Sequence, residues 1–373
     1  MSRYWNSNTK KLSPYVPGEQ PGDRKFIKLN TNENPYPPSV KVIEAIQKAA
    51  GEKLRLYPDP ECTEFRQAIA SRYGVKISQV FAGNGSDEVL AFTFGAFFER
   101  SGRTGNTPEN NILFPDITYS FYPVYADLWG IPFNTIGLDN NFCINTAAYM
   151  IPCGGAVFPN PNAPTGIALP LCDILSLAEH LEKSGKVLIL DEAYIAFGSD
   201  YGSCVKVESA VPRINEHPNL LTVHTLSKSA SLAGLRTGFA IGSEQLIEGL
   251  CRVRDSFNSY VMDRLAMAGA AAAVSDTAYY DGINKKVVNT RNRVIDALRS
   301  LNCTVLPSAA NFIFFKAPET SGSDLFSALR EKGILVRHFN KERIADFLRV
   351  SIGTDDDMDM FLECCGKIIR NVR

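Results

Sequence analysis

The sequence predicts an α/β protein: a large domain with a mostly parallel sheet covered by helices, a smaller α+β C-terminal domain and an extended N-terminal arm. Three observations lead there. Short apolar runs recur without polar alternation and are separated by helical patterns, as in strands buried on both faces. The texture changes after about residue 255, where a small-residue stretch rich in alanine begins. The first thirty-odd residues are polar and interrupted by Pro14, Pro17, Gly18, Pro21 and Gly22, which suits an arm rather than a packed element. The expected divisions are 1–35 for the arm, 36–256 for the large domain and 257–373 for the small one, joined through a long helix.

Taken in order, the turn-dense Leu29-Asn-Thr-Asn-Glu-Asn-Pro-Tyr-Pro-Pro38 closes the arm, and Val40, Ile43 and Ile46 predict a short helix. After the break Leu56-Tyr-Pro-Asp-Pro60, Phe65, Ile69 and Tyr73 repeat at helical spacing up to Gly74. Further helical patterns follow Asp87 and Pro170. Strands are predicted at Asn111–Phe114, Gly155–Phe158, Val187–Leu190, Leu220–Val223 and Gly238–Ile241. In the C-terminal part a small-residue helix is expected over Ser259–Val274 and another long one to about Leu301. Strand-like runs follow at Asn311–Phe315, Gly333–Arg337 and Phe347–Gly353. Thr354 before three aspartates reads as a capped helix start, with acids at the positive end of the helix dipole. No internal repeat or low-complexity tract is present.

Composition bounds the function. Hydrophobic residues make up 45% and charged residues 21%, ordinary for a globular protein. A formal charge of −1 and a pI near 6.5 give no field favouring nucleic acid or an anionic membrane. The nine cysteines form no C-x-x-C pair and the four histidines are isolated, which argues against a metal site or disulfide framework. Met1-Ser-Arg-Tyr-Trp-Asn6 has no apolar signal core, and no apolar run reaches membrane-spanning length, so a soluble cytoplasmic protein is expected.

Seven stretches could build one site. Lys228 follows the apolar run Leu220–Leu226 among small residues, with Arg236 eight positions on. A desolvated lysine has a lowered pKa and becomes a nucleophile towards an aldehyde, although a loop lysine in solvent fits the same letters. Gly83-Asn-Gly-Ser-Asp-Glu88 precedes a helix and suits either an anion or a simple cap. Arg236 or Lys228 could supply the cation that a phosphate there would need.

Asp191 ends a buried strand and Tyr194 follows three residues later, so the chain must bend after Asp191 for both to face one site. An acid there could hold a heterocyclic nitrogen protonated, or cap a turn. Asn160-Pro-Asn-Ala-Pro-Thr-Gly166 could aim Asn162 at a ligand, and Tyr119 could stack on a flat ring or pack in the core. Arg349, between Leu348 and Val350, and Arg337, at the end of another apolar run, suit an anionic substrate or surface ion pairs.

Taken together, Gly-Asn-Gly-Ser-Asp, Asn-x-Pro-Thr-Gly, Asp-Glu-Ala-Tyr, Ser-Lys with its later arginine, and the late Leu-Arg-Val-Ser-Ile-Gly resemble pyridoxal-phosphate enzymes of the aspartate aminotransferase fold. The resemblance spans nearly the whole chain. Leu12-Ser-Pro-Tyr15, Leu29–Pro35, Leu56–Asp59 and Leu335-Val-Arg337 look most like the branch acting on histidinol phosphate. It implies that Lys228 bonds the cofactor aldehyde and later moves the substrate proton, and that Asp191 pairs with the ring nitrogen. It also implies Tyr194 and Asn162 at the ring hydroxyl, Tyr119 on the ring face, and Ser86, Asp87, Ser227 and Arg236 at the cofactor phosphate. Tyr57 would reach that phosphate from the neighbouring subunit of a homodimer, and Tyr15, Arg337 and Arg349 would receive the substrate anion. The second substrate would be 2-oxoglutarate, giving ping-pong kinetics.

One departure stands out: the family often has Asn immediately before Pro-Thr-Gly, where this chain has Ala163. The alternatives are an aromatic amino acid aminotransferase or a threonine-phosphate decarboxylase of the same fold, and more remotely a non-catalytic regulatory protein.

Overall fold

The structure, a computed structural model, describes residues 2–15, 18–20, 26–101, 108–198 and 206–371. Pro17, Pro21 and Gly22 of the expected arm, and Cys204, lie outside the described residues.

The chain starts with helix α1 (Ser7–Lys11), whose Thr9 N–H is capped by the Asn6 side chain, and a two-residue strand β1 (Ile27–Lys28). Helices α2 (Val40–Ala49) and α3 (Thr63–Tyr73) precede β2 (Val80–Gly83), α4 (Ser86–Phe97), β3 (Ile112–Pro115), α5 (Tyr122–Trp129) and β4 (Phe133–Ile136). The pattern continues through β5 (Gly155–Pro159), α6 (Leu171–Glu182), β6 (Leu188–Asp191), β7 (Leu220–Thr225), α7 (Leu226–Ser229) and β8 (Gly238–Ile241). The rest comprises α8 (Glu244–Phe257), α9 (Arg264–Ser275), α10 (Thr277–Ser300), β9 (Thr304–Val305), β10 (Phe312–Lys316) and α11 (Gly322–Glu331). Strands β11 (Ile334–Leu335), β12 (Arg337–His338) and β13 (Leu348–Ser351) lead to α12 (Asp355–Asn371).

The larger sheet has the order β2-β8-β7-β6-β5-β3-β4 and is parallel except for β8, which runs against both its neighbours. Its inner strands are largely apolar because both faces are covered; Thr222, His224 and Thr225 on β7 and Asp191 on β6 are buried polar exceptions, and the edge strand β4 exposes Asn134 and Thr135. On β6, Ile189 joins the core formed with α3, α4, α8 and α9, whereas Leu188 and Leu190 join the opposite core with α6. Val157 and Phe158 of β5 divide in the same way. Successive side chains point to opposite faces, so two covered faces favour apolar residues at successive positions.

The smaller sheet, β12-β13-β10-β9, is antiparallel and packs with α10, α11 and α12. The arm is tied to this region by the parallel pairing of β1 with β11.

Some expectations shift. The helix expected from Ser259 begins at Arg264, where the Asp263 carboxylate accepts the Leu265 and Ala266 N–H groups. It packs against α2 and α3, with Ala266, Ala270 and Ala273 in the core of the larger sheet. The run Gly333–Arg337 is two short bridges rather than one strand. Strands β2 and β4 and the amphipathic α8 lie outside the predicted elements. At the start of α12, Thr354 Oγ1 accepts the Asp357 N–H at 3.2 Å and the Asp357 carboxylate accepts the Thr354 N–H at 3.0 Å, a reciprocal cap.

Candidate active site

The carboxyl ends of β5, β6 and β7 open onto one cavity of about 110 Å³, lined by Ser86, Asp87, Tyr119, Asp191, Tyr194, Ser227, Lys228 and Arg236 among others. A second cavity of about 130 Å³ adjoins it and shares Tyr119, Tyr194 and Lys228; Tyr15, Arg337 and Arg349 line its other side. Eleven of the thirteen candidate side chains therefore line one or the other of these two adjoining cavities; Asn162 and Tyr57 line neither.

Lys228 sits between the cavities on α7, one short turn beyond β7. Thr225 Oγ1 caps this turn by accepting the Ser227 N–H at 3.1 Å. The Lys228 ammonium donates to the Thr31 carbonyl at 3.0 Å, so the arm reaches the amine directly. Burial, helped by the nearby Arg349 charge, brings the amine down to about 8, while Asp87 and Glu33 oppose the shift.

Asp191 ends β6 and is 5% exposed. Its carboxylate accepts the Ala193 N–H at 3.1 Å and the Tyr122 hydroxyl at 3.3 Å. The first of these marks the bend after Asp191 that the sequence requires. Burial pushes the acid up to about 7, against those hydrogen bonds. A cationic N–H donor would reverse this shift, and a protonated ring nitrogen is one such group.

At the opposite end of the first cavity the chain forms an anion cradle. Gly85, with φ +86°, turns the backbone into α4, and a Cβ there would come within 2.7 Å of the Arg236 guanidinium. A Cβ on Gly238 would collide with the backbone N of Ser86. Two glycines thus let the first turn of α4, β8 and Arg236 converge. Arg236 donates to Asp87 at 2.9 Å, and Tyr119 donates to the other Asp87 oxygen at 2.6 Å. The helix N-terminus and the guanidinium together suit a phosphate.

In the second cavity Arg337 and Arg349 are direct cross-strand partners on β12 and β13. Like charges in that position repel, and among the described residues neither arginine is in an ion pair with a carboxylate. Both guanidinia lie over the Phe339 ring at 5.6 Å. Arg349 also donates to the Asn30 carbonyl at 3.0 Å, and its buried Nε has no partner in the protein. Burial lowers the pKa of this arginine. An incoming anion would relieve both the repulsion and the unmet donor. Tyr15 closes the cavity from the arm, stacked on Phe121 at 4.3 Å.

Asn162 lies apart from this set. It is buried, but its amide donates to the Ile117 carbonyl at 3.0 Å and Thr165 Oγ1 at 3.1 Å, and its Oδ1 accepts from Thr118 at 3.1 Å. The side chain holds its own turn, and the neighbouring Ala163 faces the cavity instead. Tyr57 is 79% exposed and stacks on Tyr260 at 4.6 Å, outside both cavities of its own chain.

Several site contacts were not visible in the sequence. Thr31 and Asn30 act through backbone carbonyls, which no side-chain pattern reveals. Tyr122 lies three residues beyond Tyr119, a spacing that offered a signal, but Asn32 and Ser351 meet only through the fold.

Comparison with known proteins accords with this geometry. A model of the aminotransferase class I and II family matches residues 24–364. Histidinol-phosphate aminotransferase of Clostridium beijerinckii is 48% identical over 371 residues, covering 100% of this chain and 99% of the relative. The protein of the same name from Clostridium acetobutylicum is 51% identical over 363 residues, covering 97% and 98%. Among solved structures, histidinol-phosphate aminotransferase from Sinorhizobium meliloti in complex with pyridoxal-5'-phosphate superposes with a TM-score of 0.87, covering 100% of this chain and 99% of that one at 22% identity.

Proposed function

The chain belongs to the aminotransferase class I and II family, and we propose that it moves an amino group between histidinol phosphate and 2-oxoglutarate with pyridoxal phosphate as cofactor. The observation that carries the substrate reading is the pair of carboxylate-free guanidinia, Arg337 and Arg349, across the second cavity from Lys228. A phosphate ester and the carboxylates of glutamate or 2-oxoglutarate would use the same pair in turn.

The residues present fit the cofactor. Asp191, buried and in no salt bridge among the described residues, matches a basic ring nitrogen; the cradle of Ser86, Asp87, Ser227 and Arg236 matches a phosphate; Tyr119 and Tyr194 line the space between. When bound, pyridoxal phosphate supplies an electron sink that stabilises negative charge on the substrate carbon. Lys228 Nζ, brought to about 8, takes the α-proton as a free amine and returns it as an ammonium. Asp191 keeps the ring nitrogen protonated, and Tyr194 donates to the ring oxygen. Arg349 and Arg337 orient the substrate by its anion, with Tyr15 excluding water above them. Asn162 spends its amide on its own turn, so Tyr194 would be the group serving the ring oxygen on this side.

The enzyme works as a cytoplasmic homodimer in which Tyr57 of each chain reaches the phosphate cradle of the other. The exposed apolar group Leu54, Leu56, Tyr57 and Phe257 supports that reading. No helix among the described residues is long and apolar enough to cross a membrane.

The test is a substrate panel on purified enzyme. Amino transfer from histidinol phosphate to 2-oxoglutarate should exceed transfer from phenylalanine or tyrosine, and threonine phosphate should release no carbon dioxide. Borohydride reduction followed by peptide mapping should label Lys228. A label elsewhere would overturn the mechanism, and a preference for aromatic donors would overturn the substrate.

A further inference from the structure

Asn32 is 1% exposed and has φ +55°, a left-handed conformation that asparagine tolerates better than most residues. Its backbone N–H donates to Ser351 Oγ at 2.7 Å. Its carbonyl accepts from Asn311 Nδ2 at 3.0 Å, which holds the turn in place. The side chain then bridges two elements: Oδ1 accepts from Ser351 Oγ at 3.0 Å, and Nδ2 donates to the Tyr194 hydroxyl oxygen at 3.0 Å.

The acceptor beside the Ser351 hydroxyl sets the direction of this chain. A serine hydroxyl has one proton to give. With Ser351 Oγ already accepting from the Asn32 backbone, its proton goes to an acceptor, and the carbonyl end of the amide is the acceptor beside it. The amide orientation follows, with its NH₂ towards Tyr194. The phenol oxygen therefore receives a hydrogen bond from the protein, and its own proton remains free for the cavities that Tyr194 lines. With the amide reversed, Oδ1 would draw that proton away.

We propose that Asn32 and Ser351 are positioning residues that set the polarity of the Tyr194 hydroxyl, so that it donates to the ligand instead of to the protein. The inference rests on the reading of Tyr194 as the partner of the cofactor ring oxygen. The charged groups acting on Tyr194 are Arg349, Asp191 and Asp87, and none of them is changed in the variants below.

The experiment measures, for each holoenzyme, the pH midpoint of the visible band of bound pyridoxal phosphate, together with the cofactor dissociation constant. Donation to an anionic ring oxygen favours its deprotonated form, so losing the donor raises the midpoint. Tyr194→Phe should raise it by about one pH unit and weaken cofactor binding about tenfold. Asn32→Asp should raise it comparably, because a carboxylate takes the Tyr194 proton, and should add nothing in the Tyr194→Phe background. Ser351→Ala, which changes no charge, should move the midpoint in the same direction by freeing the amide, and Ser351→Thr should restore it. If Tyr194→Phe shifts the midpoint but Ser351→Ala and Asn32→Asp do not, the polarity relay is wrong while the role of Tyr194 stands. An unmoved Tyr194→Phe midpoint removes both. Should Asn32→Asp fail to fold, the two Ser351 variants decide the matter by themselves.

Discussion

Lys228 and Asp191 show how one cavity shifts two groups towards neutrality by the same cause. Burial disfavours charge, so the amine falls to about 8 and the acid rises to about 7. Reaction with an aldehyde needs the free amine, so the rate at which cofactor-free enzyme takes up pyridoxal phosphate should climb through about pH 8 and then level off. Arg349→Ala removes a cation that depresses the amine, and should move this profile upward by roughly half a unit; stopped-flow absorbance reads both. For Asp191 the sign is opposite. The folded carboxyl keeps its proton where the unfolded chain, with its ordinary value of 3.8, has lost it. The stability of the cofactor-free protein should therefore fall as pH rises from about 4 to about 7. Asp191→Asn should remove this contribution and be more stable at pH 8 by about 2 kcal/mol, measured by denaturant titration without cofactor. Glu192, also pushed up to about 7 by burial, keeps its part of the slope.

At the scale of elements, the β12–β13 pairing sets Arg337 and Arg349 directly opposite each other. Two directly opposed arginines cost the ligand-free sheet about 0.2–1 kcal/mol. Arg337→Gln should leave the melting temperature unchanged or slightly higher, while KM for the phosphorylated substrate rises about tenfold or more. A fall in stability with unchanged KM would mean that Arg337 serves the sheet and not the substrate. The connection between these strands is anchored separately. Arg343 donates to the Leu138 carbonyl at 3.0 Å and the Asp139 carbonyl at 2.6 Å, binding this hairpin to the larger sheet's side of the molecule. Both opposed arginines and their anchor thus belong to one short segment.

For the whole molecule, the arm carries more of the site than its composition suggests. Asn30, Thr31 and Asn32 hold Arg349, Lys228 and Tyr194 respectively, so three residues tie together amine, phenol and anion grip. Tyr57 is the complementary case, exposed and outside both site cavities of its own chain. If Tyr57 reaches a partner's phosphate cradle as proposed, Tyr57→Phe should raise the cofactor dissociation constant about tenfold without altering the sedimentation coefficient. A variant with unchanged cofactor affinity would remove Tyr57 from the site.

The sequence alone determined the alternation of buried strands and helices, because strands covered on both faces, such as β5 and β6, read as short runs without polar alternation. It also marked Lys228, Asp191 and Tyr194, whose residue types stand out at or just past the ends of apolar runs, and Arg349, which alternates with Leu348 and Val350. Strands β2 and β4 escaped it, and β4 has the half-exposed pattern of an edge. Only the tertiary structure decided the fate of Asn162, whose amide is consumed by its own turn, and the union of Asn32 with Tyr194 and Ser351. Hydrogen bonds between residues 162 and 319 positions apart in the chain have no local periodicity to announce them. They arise when packing of the two sheets brings the arm across the carboxyl ends of the strands, and there the count of donors and acceptors leaves one arrangement.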